Sequence, residues 1–231
     1  MTPDATLFAG HFPGRPILPA VAQLAFVQRA LGRPLAALRS LKLRRPVLPG
    51  ESLDLAFGDA DGEGWARFEI RRSGETISTG SVKGGDAWEG DPVFPEIEVL
   101  DLSILLPHAP PSRLVTGIVE SSEEGIVCAA EVPPDHPLVE GGRSPAFLGI
   151  EAAAQAAAVL EGLGRRGEKA APRIGYLVGV REARFAVPHL PVSRPFRVSA
   201  RLQGSAPPLS IYEIAAAGVV TGTVSTFLAD S

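Results

Sequence analysis

Polar and apolar positions along this chain fall into two series of similar shape. In the first, a proline-rich loop from His11 to Pro19 leads into a helical run that ends near Leu31. Alternating, strand-like stretches follow near Ser52 to Phe57, Trp65 to Arg71 and Thr76 to Val82. In the second, His136-Pro137-Leu138 and Pro145-Ala146 precede a helical run to about Leu163. Strand-like stretches then fall near Phe196 to Leu202, Ser210 to Ala216 and Val219 to Phe227. The pattern predicts two units, each an apolar helix followed by antiparallel strands, and hence an α+β class.

The two series align in detail. His11 to Pro19 spans eight positions and His136 to Pro145 spans nine, so the second loop carries one extra residue. Leu41 to Pro49 lines up with Ala183 to Pro191, and both stretches end at two prolines three apart. Between the units, Gly84 to Asp101 holds three glycines, two prolines and six acids, the composition of a linker. The expected organisation is therefore a unit over 1–83, a linker over 84–101 and a unit over 102–231. The second unit has 34 residues ahead of its histidine, with strand-like Leu114 to Val119 and Ile126 to Val132, whereas the first has ten. Either the first unit lacks that hairpin or its natural start lies upstream.

Composition narrows the class without naming a function. The chain has 231 residues, of which 45% are apolar and 21% charged, with a net charge of -4. That is an ordinary globular balance, and a mildly acidic chain argues against nucleic acid as a partner. The single cysteine, Cys128, rules out an internal disulfide and reads as a small core residue. No basic-then-apolar leader opens the chain. The longest apolar stretch, Ala146 to Leu160, is interrupted by Glu151 and Gln155 and is too short to span a bilayer. A cytoplasmic protein with no membrane contact is expected.

Gly10-His11-Phe12-Pro13-Gly14-Arg15-Pro16-Ile17-Leu18-Pro19 resembles the signature of the 3-hydroxyacyl-[acyl-carrier-protein] dehydratases of fatty-acid synthesis. Leu105-Leu106-Pro107-His108 resembles that family's opening. Glu182 to Phe185 and Arg45 to Gly50 resemble its strand after the helix. A short first unit paired with one reading Pro145-Ala146-Phe147-Leu148-Gly149-Ile150-Glu151 is also similar to the paired dehydratase-like proteins of aryl polyene synthesis. The resemblance implies a double hotdog, two antiparallel sheets each wrapping a central helix, packed as a pseudo-dimer. In the family one subunit supplies a histidine and its partner's helix supplies an acid fourteen positions after its own histidine motif begins. That position is Ala25 in the first unit and, with the inserted residue, Glu151 in the second. One working site from His11 and Glu151 is implied, with His136 and Ala25 as a vestigial second.

Dehydration of a 3-hydroxyacyl thioester needs a base for the proton next to the carbonyl and an acid for the departing hydroxide. His11 suits the base role, in a loop stiffened by Phe12-Pro13-Gly14 and Pro16. Glu151 suits the acid role, because the alanines from Ala152 to Ala158 surround it with little polar company and so favour a protonated carboxyl. Gln155, four residues on, shares its helix face and can hydrogen-bond it. Backbone N–H groups at the first helix start suit the developing oxyanion, with Gly14 in the loop ahead, Pro19 at the helix entry, where its missing N–H costs nothing, and Ala20 following it. His108 and His189, beside prolines, read as structural.

No metal-ligand cluster, phosphate loop or nucleophile elbow stands out, so neither a metal nor a cofactor is expected. Ala5 to Gly50 contains no acid but seven cations. Of these, Arg39, Lys42, Arg44 and Arg45 are candidates for docking an acidic acyl carrier protein. A hotdog acyl thioesterase and a non-catalytic dehydratase partner subunit are the alternatives, and the same site would also run as a hydratase in reverse. Acyl chain length and oligomerisation beyond the pseudo-dimer are left open.

Overall fold

The computed structural model describes residues 1–86, 106–164 and 175–229. In the first half, a 3₁₀ turn at Ala5–Phe8 and helix α1 (Ala20–Leu31) precede strands β1 (Leu35–Leu43), β2 (Asp54–Phe57), β3 (Trp65–Arg72) and β4 (Glu75–Gly84). The second half begins with β5 (Val115–Ser121), β6 (Gly125–Ala130) and the short β7 (Ser144–Pro145). Helix α2 (Leu148–Gly164) follows. Then come β8 (Gly175–Phe185), the short β9 (His189–Leu190), β10 (Phe196–Ala206), β11 (Leu209–Ala216) and β12 (Val220–Leu228). Of the expected linker, residues 87–101 lie outside the described residues.

Ten strands form one sheet in the order β2-β3-β4-β1-β8-β12-β11-β10-β6-β5. The order reads outward from the β1/β8 junction as the same four-strand series on either side, with hairpin β5–β6 added beyond β10. The junction register carries the same symmetry. Leu38 pairs with Ala183, and Leu41 pairs with Val180. In the repeat alignment Val180 is the counterpart of Leu38, and Ala183 that of Leu41. Leu38 therefore meets the counterpart of Leu41, and Leu41 the counterpart of Leu38, as in an isologous two-fold interface. The fold is a double hotdog.

The central strands begin earlier than the alignable stretches at Leu41 and Ala183, at Leu35 and Gly175. They also stop before the proline pairs, because Pro46, Pro49, Pro188 and Pro191 have no N–H for the ladder. In β1 the alternation is broken at Ser40, whose φ of 54° coincides with a register shift between Arg39 and Lys42.

Both helices lie against the sheet's apolar face. Pro19 caps the start of α1, and Gly32, with φ 74°, closes its end by donating to Gln28 and Arg29 carbonyls. In α2, Ala152, Ala153, Ala156 and Ala157 are fully buried, and their small side chains let the helix approach the strands closely. Gly149 marks the tightest point: a Cβ there would lie 2.9 Å from Val220 and 3.0 Å from Ala216. Cys128 sits in this core, where burial pushes its thiol up to about 12. No helix among the described residues is long and apolar enough to cross a membrane.

Candidate active site

The His11 loop is clasped by the segment that opens the second half. Gly10, with φ 73°, accepts a hydrogen bond from Ala109 N–H at 2.8 Å, and Ser112 Oγ donates to the Ala9 carbonyl at 2.6 Å. The approach is so close that a Cβ on Gly10 would stand 2.1 Å from the Ala109 carbonyl oxygen. Only glycine fits both the backbone angle and the space. Beyond it, His11 and Phe12 turn inward and are buried, while Pro13 to Pro16 form an exposed tip closed by an Arg15 N–H to Phe12 carbonyl bond. Gly14 lies on that tip with φ 84°. Its place suits a turn-former more than an oxyanion donor.

His11 Nδ1 lies 2.8 Å from the Ile17 carbonyl oxygen. A carbonyl can only accept, so Nδ1 carries the proton. In the neutral ring the lone pair is then on Nε2, the tautomer a base needs. His136 has the opposite arrangement. Its Nδ1 accepts from Leu138 N–H at 3.1 Å, which puts the proton of the neutral ring on Nε2. Burial lowers His136 to about 4, against the opposing pull of Glu151 and Asp135.

Glu151 stands in the first turn of α2 and is buried beside His11. Gln155, one turn on, is fully committed. Its carbonyl oxygen accepts from Leu114 N–H at 2.8 Å and Val115 N–H at 3.2 Å. Its amide donates to the Ser112 carbonyl at 2.8 Å and to Glu151 Oε1 at 3.1 Å. Gln155 thus ties the acid to the same 112–115 segment that clasps the His11 loop.

His108, expected to be structural, is brought to the centre of the cluster. One ligand atom each of His11, His108 and Glu151 lie within 4.8 Å of one another, and all three residues are buried. His108 Nε2 is 3.5 Å from Glu151 Oε1, and its ring centroid is 5.3 Å from that of His11 and 4.9 Å from that of Phe12. Burial lowers His108 to about 4, with His11 adding to the effect and Glu151 opposing it. Such a His-His-Glu set could take a divalent cation of the zinc type, but its chemistry equally suits proton transfer. The one signal for His108 in the sequence was its place in Leu105-Leu106-Pro107-His108, and that stretch says nothing of a contact 43 residues downstream.

At the start of α1, the N–H groups of Ala20 and Val21 have no intrahelical acceptor, because the first bonds to Pro19 come from Ala22 and Gln23. Ala25 is half-buried on the same helix. It lines a separate cleft of about 690 Å³ with Pro137, Leu138 and His189, where Arg29 and Glu140 bridge the halves at 3.1 Å. No carboxyl stands at Ala25 to face that loop.

The expected docking cations are partly neutralised. Arg39 stacks on Trp65 at 4.1 Å and pairs with Asp61 at 3.5 Å, and Arg45 pairs with Glu75 at 3.0 Å. These acids come from the segment after Gly50, which the fold carries back over β1. Lys42 and Arg44 have no ion pair among the described residues. They line a shallow cleft with Arg67 and Glu69.

A family model described as ApeP dehydratase matches residues 100–230, and one described as ApeI dehydratase matches residues 1–81. The chain is similar to a 3-hydroxyacyl-[acyl-carrier-protein] dehydratase of Anaeromyxobacter sp. (strain K), 36% identical over 106 residues, or 43% of this chain and 68% of that one. A second such dehydratase, from Anaeromyxobacter dehalogenans (strain 2CP-C), is 34% identical over 104 residues, 42% of this chain and 67% of that one. Among solved structures, the dehydratase domain of PpsC from Mycobacterium tuberculosis matches with TM-score 0.69 at 18% identity. The match covers 99% of this chain and 91% of that one. The dehydratase domain of RzxB from Pseudomonas fluorescens matches with TM-score 0.67 at 15% identity, over 98% and 91%. These two share the double-hotdog fold. With more than half its length matched by one model, the chain belongs to the ApeP-like dehydratases, and its first 81 residues are ApeI-like.

Proposed function

We propose that this hydro-lyase dehydrates 3-hydroxyacyl thioesters at one composite site, with His11 from the unit over 1–83 as base and Glu151 from the unit over 102–231 as acid. The observation that carries the reading is the bond from His11 Nδ1 to the Ile17 carbonyl, which puts the neutral ring's lone pair on Nε2 in a residue clustered with a buried carboxyl. His11 Nε2 takes the proton from the carbon next to the thioester carbonyl. The electrons of that C–H bond form the new double bond as the C3–O bond breaks. The carboxyl proton of Glu151 goes to the leaving oxygen, so that water departs and a 2-enoyl thioester remains. The negative charge that builds on the thioester oxygen suits the N–H groups at the start of α1 that lack an intrahelical acceptor, where the helix dipole adds to them. The returned proton resets the pair.

The substrate we infer is carried on an acyl carrier protein, as the names of the Anaeromyxobacter relatives state for those enzymes. Lys42 and Arg44 are the cations left to meet an acidic carrier. The reciprocal place, with Ala25 and an oppositely protonated His136, is vestigial. The test is enoyl formation by purified H11A, E151Q and H136A chains, with free-thiol release followed in parallel. Loss in the first two and near-normal enoyl formation in H136A supports the assignment. Full loss in H136A, or thiol release as the main reaction of the unaltered chain, overturns it.

A further inference from the structure

We propose that His108 is a positioning residue for the acid: with Gln155 it holds Glu151 Oε1, so that Oε2 is the oxygen that hands its proton to the leaving hydroxyl. The inference rests on Glu151 being the acid. Its first step is the orientation of Gln155. Both backbone N–H groups at Leu114 and Val115 point at the Gln155 oxygen, so the amide nitrogen must face Ser112 and Glu151. An amide N–H only donates. Glu151 Oε1 is therefore an acceptor, and in the acid form the proton sits on Oε2.

His108 supplies the second contact to the same oxygen, Nε2 to Oε1 at 3.5 Å. This neutral ring has one N–H. If it were on Nδ1, a buried donor would lack an acceptor among the described residues and a lone pair would face the Oε1 lone pairs. Placed on Nε2, the N–H points at an acceptor instead. The 3.5 Å separation is long for a hydrogen bond, as is common for catalytic contacts before substrate is bound. The ring is held for the task. Phe12 packs on one side, itself against Tyr176 at 5.4 Å, and the following residues Ala109 and Ser112 are bonded to Gly10 and Ala9. One segment thus orients the acid through His108 and Gln155 and seats the base loop through Ala109 and Ser112.

The alternative is a histidine that only fills space. H108F keeps the bulk and the contact with Phe12 but loses the donor, whereas H108Q keeps a donor near the position of Nε2. The expected result for H108F is a fall in kcat of roughly ten- to a hundredfold, the range of one hydrogen bond to a charged group, with KM within about twofold. In H108Q the rate should return towards that of the unaltered chain, again with KM little changed. If H108F does not fold, H108M against H108Q makes the same comparison. Equal kcat values in the two variants overturn the inference. Activity retained in E151Q would instead overturn the reading on which it rests.

Discussion

Replacing Gly10 by alanine tests how tightly the second half holds the base. The new Cβ would start 2.1 Å from the Ala109 carbonyl oxygen and 2.7 Å from that of Pro110. Both are backbone atoms, so no side-chain rotation relieves the clash, and reaching ordinary contact near 3.4 Å requires one segment to move by roughly 1 Å. Two costs follow. An L-residue at φ 73° costs about 1–2 kcal/mol. Losing the Ala109 N–H to Gly10 bond costs about 1 kcal/mol more. A total of about 2–3 kcal/mol corresponds to a fall in Tm of about 5–10 °C for a chain of this length. The same shift moves His11 relative to Glu151, and a misplacement of about 1 Å can cost on the order of a hundredfold in rate. Thermal unfolding and a continuous enoyl assay read the two effects separately. A G10A chain with wild-type Tm and wild-type rate would refute the clasp.

Three further expectations follow from the site and its surroundings. Placing A25E on the H11A background should change stability by no more than about 1 kcal/mol, because Ala25 is half-buried and lines an open cleft with Arg29 one turn on. It should not restore dehydration, because Leu138 N–H holds the His136 proton on Nε2; recovery of rate in the enoyl assay would show the second site lacks only its acid. His108 and His136 both titrate near 4 folded against 6.5 in an open chain, so the unfolded state binds more protons in between. Stability should therefore fall as pH drops from about 6.5 to about 4, by at most roughly 3 kcal/mol per histidine, and level off below. Urea midpoints across that window should show a shallower slope in H136N. Finally, K42E/R44E should raise KM for a carrier-protein substrate and leave a pantetheine thioester unchanged, with the difference shrinking as salt screens the charges. Equal effects on both substrates would count against docking there.

The repeat was legible because the side-chain patterns of both halves survive, and strands from Trp65 onward and from Phe196 onward fall close to where alternation puts them. The Gln155–Glu151 contact was legible too, because residues four apart on a helix share a face. The first parts of β1 and β8 were harder. The bulge at Ser40 interrupts alternation, and strands buried at the junction of two half-sheets need not alternate. The neighbours of His108 were not legible, because a histidine in a proline-rich loop has no periodicity to declare them. Its meeting with His11 and Glu151 depends on folding that brings distant segments together. The ion pairs of the basic stretch before Gly50 were not legible for the same reason, since Asp61 and Glu75 reach Arg39 and Arg45 from outside it.

The β1/β8 ladder, from Ala37 opposite Arg184 to Lys42 opposite Gly179, joins the halves through main-chain pairing rather than through side chains alone. Parting the base from the acid by a hinge would mean unzipping that ladder at the middle of the sheet. The two halves cannot open like jaws to admit a substrate whose reacting carbon must reach a buried pair. Access from solvent is then a matter of the loops around the site, and the exposed Pro13 to Pro16 tip next to His11 lies outside that ladder.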